Sequence, residues 1–86
     1  MNNNNYQQSK KIKLDNISVK KREDKNFNTY FIIVNNDNQD EAYFCFERAV
    51  REGWNDLVNN WENAKEVEIE YEEAERGKKV VEVTIY

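Results

Sequence analysis

Between Lys10 and Tyr86 apolar residues recur mostly at every second position, the period of a β-strand. Ile12 and Leu14 share one parity, and Ile17 and Val19 share the other. The slip between them predicts a bulge around Asp15-Asn16, in the middle of a long first strand. A kink there is what lets one strand bend across a small barrel. Lys20 to Asn28 is charged and polar and reads as a loop or a fraying strand end. Two denser runs follow, Thr29-Tyr-Phe-Ile-Ile-Val34 and Ala42-Tyr-Phe-Cys-Phe46. They are joined by Asn35-Asn-Asp-Asn-Gln-Asp40, whose side chains suit turns, so the pair reads as a hairpin. Both runs are apolar on both faces. A small antiparallel sheet normally keeps one face in water. The surplus face therefore needs a cover: the protein's own helix or tail, another subunit, or a ligand with flat rings.

The period then changes. Trp54, Leu57, Val58 and Trp61 fall at i, i+3, i+4 and i+7, one face of an amphipathic helix, with Gly53 breaking or bending an earlier turn at Ala49-Val50. Val67, Ile69 and Tyr71 alternate with Glu66, Glu68, Glu70 and Glu72, the clearest half-wet strand in the chain. Gly77 is placed to take the positive φ of a loop, after which Val81, Val83 and Ile85 share a face. The predicted order is β-β-β-α-β-β, an all-β domain with one helix.

The chain has 86 residues, one cysteine and no histidine. That is one small domain, residues 10–86, without material for a disulfide framework or a zinc site. Residues 1–9, rich in Asn and Gln, read as a disordered tail. No apolar run approaches the roughly 20 residues of a membrane span, and no signal peptide is visible. The expectation is a soluble, cytoplasmic protein with no membrane partner. Net charge is −4, unevenly distributed: residues 1–34 carry +4 and residues 35–86 carry −8. The acidic total argues against an autonomous, strongly basic nucleic-acid binder but leaves room for a local basic surface.

Candidate catalytic chemistry is thin. Cys45 sits on an apolar strand with no histidine to activate it. Glu66, Glu68, Glu70 and Glu72 lie on a solvated strand face, which offers no cleft to raise a carboxylate pKa. Gly53 and Gly77 are isolated and form no phosphate-binding loop. The expectation is a non-enzymatic protein with no metal, no cofactor and no small-molecule substrate.

Three stretches resemble one family. Ile17-Ser-Val-Lys-Lys-Arg-Glu-Asp-Lys25 resembles the first strand and loop of small archaeal and bacterial OB-fold domains. Glu41-Ala-Tyr-Phe-Cys-Phe46 resembles their third strand. Lys65-Glu-Val-Glu-Ile-Glu-Tyr-Glu-Glu73 with Arg76-Gly-Lys-Lys-Val-Val-Glu-Val83 resembles the closing hairpin. The resemblance spans residues 10–86 and implies a five-stranded Greek-key β-barrel whose usual ligand is single-stranded nucleic acid or oligosaccharide. It implies that Phe31 stacks on a base from the outer face, with Ile33 beside it and Tyr43 as its cross-hairpin partner. Tyr30, Ile32, Val34, Phe44 and Phe46 would then face inward. Lys20, Lys21, Arg22 and Lys25 would flank one end of this platform, and Arg76, Lys78 and Lys79 the other. The reading from a different class is a protein-interaction or accessory domain that uses the same apolar face against another chain.

Overall fold

The computed structural model describes residues 9–75 and 77–86. Among them the protein is mostly β with one short helix. The strands are β1 (Ser9–Leu14), β2 (Ile17–Glu23), β3 (Thr29–Asn35), β4 (Ala42–Phe46), β5 (Val67–Ala74) and β6 (Gly77–Ile85), with α1 (Trp54–Asn60) between β4 and β5. They form a six-stranded sheet in the order β1-β5-β6-β4-β3-β2. All neighbours are antiparallel except β4 and β6, which are parallel. Asn-rich residues 1–8 and Arg76 lie outside the described residues; Ser9, which the composition places in the tail, is already in β1 and pairs with Glu72.

The expected count of five strands is corrected to six, and the sheet does not close into a barrel. At Asp15-Asn16 the predicted bulge is a full break: β1 ends there paired to β5, and β2 starts beyond it paired to β3. These two strands stand at opposite ends of the hydrogen-bonded order yet are separated by two residues. The sheet therefore coils back on itself without β1 and β2 pairing to close a ring. The parity slip that predicts a kink has the same origin, since Leu14 and Ile17 are both buried across the break.

One core lies inside the coil. Phe31 and Ile33 of β3, Tyr43 and Cys45 of β4, and Val67 and Ile69 of β5 meet Leu57 of α1 there. The helix is short and buries only Leu57, but Trp54 and Trp61 pack on Phe31 with ring centroids 5.4 and 6.0 Å apart. Gly53 sets the entry to the helix at φ +98, where a Cβ would lie 1.9 Å from the Val83 carbonyl oxygen. That close approach lets the Val83 N–H donate to Glu52 O at 3.0 Å and the Arg51 N–H donate to Val81 O at 2.8 Å, so the chain after β4 tracks β6. No helix among the described residues is long and apolar enough to cross a membrane.

The facing of the aromatic hairpin is reversed from the sequence expectation. In the β3–β4 register Phe31 pairs with Cys45 and Ile33 with Tyr43, and these four are at most 1 % exposed. Tyr30 pairs with Phe46 and Ile32 with Phe44 on the opposite, outer face. A strand has only two faces, so one residue of parity exchanges the whole set. Here the helical segment decides it: Trp54 of α1 and Trp61, just past its end, both pack on Phe31 inside.

Candidate functional site

The outer face of β3 and β4 carries three rings together. Tyr30 and Phe46 are 5.3 Å apart at their centroids, tilted by 32°, and Phe44 and Phe46 are 6.4 Å apart with planes only 11° from parallel. Phe46 is 40 % exposed. Beside these rings lies an open depression of about 300 Å³, the small end of the range for ligand clefts. Its walls are largely hydrocarbon: Tyr30, Phe44, Phe46 and Ala74, rimmed by Lys78 and Lys79. Gly77 opens this wall. It has φ +131, and a Cβ there would come within 3.2 Å of the Phe44 ring.

Cations stand on both sides of the rings. Across β2, Arg22 pairs with Tyr30 and Lys20 with Ile32; across β6, Lys79 pairs with Phe44. Lys78 holds its ammonium 6.0 Å from the Tyr43 ring centroid. Among the described residues the one ion pair is Lys13 with Glu66, 3.5 Å, at the β1–β5 end of the sheet. None of the cations around the rings is therefore paired with a described carboxylate.

A second depression of about 400 Å³ adjoins the first and shares Tyr30, Phe46 and Asp24 with it. Its remaining walls are polar: Asn26, Asn28, Thr29, Glu47 and Arg48. The β2–β3 loop that forms one side is held by the Asp24 carboxylate. Oδ1 accepts from the Asn26 N–H at 2.8 Å and the Asn28 N–H at 2.9 Å, and Oδ2 accepts from Asn28 Nδ2 at 3.3 Å. These bonds, the Asn28 N–H foremost, hold the Asp24 carboxyl below its usual pKa. The same loop carries Phe27 at φ 65, with its ring 81 % exposed.

The sequence-predicted site residues therefore divide. Phe31, Ile33 and Tyr43 are core residues and present nothing to a ligand; the Tyr43 hydroxyl donates to the Glu41 carboxylate, and burial raises its pKa well above the ordinary phenol value. Lys20 and Arg22 pair with Ile32 and Tyr30 on the outer face, and Lys78 lines the first depression although its register partner is the buried Tyr43. The Phe31–Tyr43 platform that the resemblance has them flank is inside the core. Lys21 pairs with Phe31 and so belongs to the other face, Lys25 is exposed in the β2–β3 loop, and Arg76 lies outside the described residues. The rings on the surface are Tyr30, Phe44 and Phe46, the ones the family resemblance places inside. Cys45 holds the signal that separates the two arrangements. Cysteine is among the most buried residue types, and alternation from an inward Cys45 puts Tyr43 inside and Phe44 and Phe46 outside. Cys45 is fully buried, and burial pushes its thiol up to about 12, so it stays a protonated core side chain.

The carboxylates of β5 meet lysines. Glu68 pairs with Lys13 and Glu70 with Lys11 across β1, and the Ser9 hydroxyl donates to Glu70. No protein-family model matches the chain, and no curated protein or solved structure matches it.

Proposed function

We propose that this protein is a small non-enzymatic binding domain of OB type that takes single-stranded nucleic acid on the outer face of β3 and β4. The observation that carries this is the solvent-facing cluster Tyr30, Phe44 and Phe46 with Lys20, Arg22, Lys78 and Lys79 on both sides, none of them in an ion pair with a described residue. Aromatic faces stack on bases with little regard to sequence, and a cationic border attracts the phosphates. The OB assignment is supported by the strand order: a broken first strand serving both ends of the sheet, a helix between β4 and β5, and a parallel contact between β4 and β6. With few cations available, binding is weak and salt-sensitive.

The test is titration of isotope-labelled protein with short single-stranded DNA and RNA at low salt, followed by NMR. Shifts centred on Tyr30, Phe44, Phe46, Lys78, Lys79 and the 24–28 loop are expected. Silence at near-millimolar oligonucleotide overturns the proposal. A protein partner on the same face is the second reading, favoured by the way the aromatic strip continues into half-buried Ile32, Val34 and Ala42. Salt separates the two, since phosphate contacts weaken steeply with salt and an apolar protein interface does not.

A further inference from the structure

The two depressions differ in chemistry, and that difference carries information about the ligand. Both touch the Tyr30–Phe46 pair. The hydrocarbon-walled one offers a stacking surface and no hydrogen-bond pattern. The polar one offers Glu47 and Arg48 side by side on the turn that leaves β4. That turn is fixed by the Ala49 and Val50 N–H groups, which donate to Phe46 O at 2.9 and 3.0 Å. Glu47 and Arg48 are exposed and form no ion pair with each other or with any described residue. Asp24, the other carboxylate in that depression, has its oxygens committed to the loop amides.

We infer that the groove reads two adjacent nucleotides unequally: any base stacks on the Phe44–Phe46 side, and the Glu47–Arg48 side prefers guanine. This deepens the proposed function and rests on it. A single-stranded base exposes both its Watson–Crick and Hoogsteen edges. Guanine is the base with two adjacent donors, N1–H and the 2-amino group, which one carboxylate accepts together; Glu47 supplies that carboxylate. Guanine also carries two adjacent acceptors, O6 and N7, the pattern a guanidinium fork fits, and Arg48 supplies the fork. Thymine and uracil offer one donor between two acceptors, and adenine and cytosine place a single amino group toward a carboxylate.

The experiment is fluorescence anisotropy at low salt with end-labelled hexathymidylate and with hexamers carrying one guanine, adenine or cytosine at a central position. The single guanine should tighten binding about fivefold or more, the low end of what a bidentate base contact discriminates. Arg48→Lys keeps the charge and loses the fork, so it should abolish the guanine advantage, bringing the ratio of guanine-hexamer to hexathymidylate affinity to about one. Glu47→Gln should reduce the advantage in the same way. Equal binding of all four hexamers overturns the inference and leaves the proposed function standing. A guanine advantage that survives in both variants overturns the assignment to this pair. Absence of binding to every hexamer overturns the proposed function and the inference with it.

Discussion

The hairpins β3–β4 and β5–β6 obey the same alternation inward and differ completely outward. Phe31, Ile33, Tyr43 and Cys45 on one, and Val67, Ile69, Tyr71 and Val83 on the other, all close the same core. Outward, β5 shows Glu68, Glu70 and Glu72, facing Lys13, Lys11 and Ser9 across β1. The β3–β4 pair shows Tyr30, Ile32, Phe44 and Phe46. A charged outer face needs nothing more than water and a few cross-strand lysines, and it discourages unwanted strand pairing. An aromatic outer face bears a hydration cost that its own fold leaves in place. Solubility alone would favour the β5 solution everywhere. The departure on β3–β4 is the reason the proposed ligand is placed on that face.

Substitutions inside and outside the aromatic hairpin test this division most directly. Phe31→Ala removes the ring on which Trp54 and Trp61 pack and should cost about 3–5 kcal/mol. Against a total of about 5–15 kcal/mol for a domain, that consumes much of the fold. Gly53→Ala should be comparably severe, about 3 kcal/mol or more, because the added methyl meets the Val83 carbonyl of a paired strand and φ +98 is strained for any L side chain. Urea unfolding followed by circular dichroism reads both. A Phe31→Ala cost below about 1 kcal/mol would mean that the two faces are energetically alike, contrary to their burial.

Phe46→Ala and Phe44→Ala should invert that profile. Phe46 is partly in water already, so its truncation should change unfolding by less than about 1 kcal/mol. Oligonucleotide binding should fall by about 5- to 150-fold for each ring, the range set by about 1–3 kcal/mol per stacked base. Anisotropy titrations alongside urea curves measure both quantities on the same preparations. Unchanged affinity in both variants would leave the outer rings without a role in binding.

Apart from the break between β1 and β2 and the run of β2 on to Glu23, the strand positions, the α1 helix and the hairpin at Asn35–Asp40 are legible in the sequence because each has a period or a turn chemistry of its own. The facing of β3 and β4 is not, because both parities are apolar and a one-residue choice reverses every side chain. Tyr30-Phe31-Ile32-Ile33 offers no polar residue to mark the wet side. Only Cys45, flanked by Phe44 and Phe46, breaks the tie, and its weight is visible once Phe31 is seen beneath Trp54 and Trp61. The cations share this ambiguity, since Lys20 and Arg22 go with Ile32 and Tyr30 while Lys21 and Lys78 go with Phe31 and Tyr43. Asn26 and Asn28 read as loop residues and Glu47 and Arg48 carry no signal of their own; their meeting at one depression depends on β3 pairing with β4 in this register.

A smaller effect separates the two outer faces by charge. Lys78→Gln combined with Lys79→Gln should weaken binding modestly at low salt. It should also flatten the slope of log affinity against log salt by roughly 0.7 for each phosphate that is no longer neutralised. Lys11→Gln with Lys13→Gln, on the β1 side that faces the β5 carboxylates, removes the same charge and should leave that slope unchanged. Equal slopes in the two double variants would show that net charge alone governs binding.

The smallest expected effect is local, in the loop that walls the polar depression. Asp24 holds the Asn26 and Asn28 amides through its ionised form, and its pKa is lowered, so the sign is fixed. The loop gains from the charge at all pH values above the ordinary carboxylate range near 4 and loses that gain as pH falls through the depressed value below it. Amide shifts of Asn26 and Asn28, followed by NMR from about pH 6 to about pH 2, should move together late in the titration, below the ordinary aspartate midpoint. In Asp24→Ala the same amides should exchange faster with solvent at neutral pH while core amides such as Ile33 and Cys45 keep their protection. Since Asp24 is fully exposed, the global unfolding curve should barely respond. Asn26 and Asn28 amides that titrate at the ordinary midpoint, or that ignore the Asp24→Ala change, would show that the loop stands without this carboxylate.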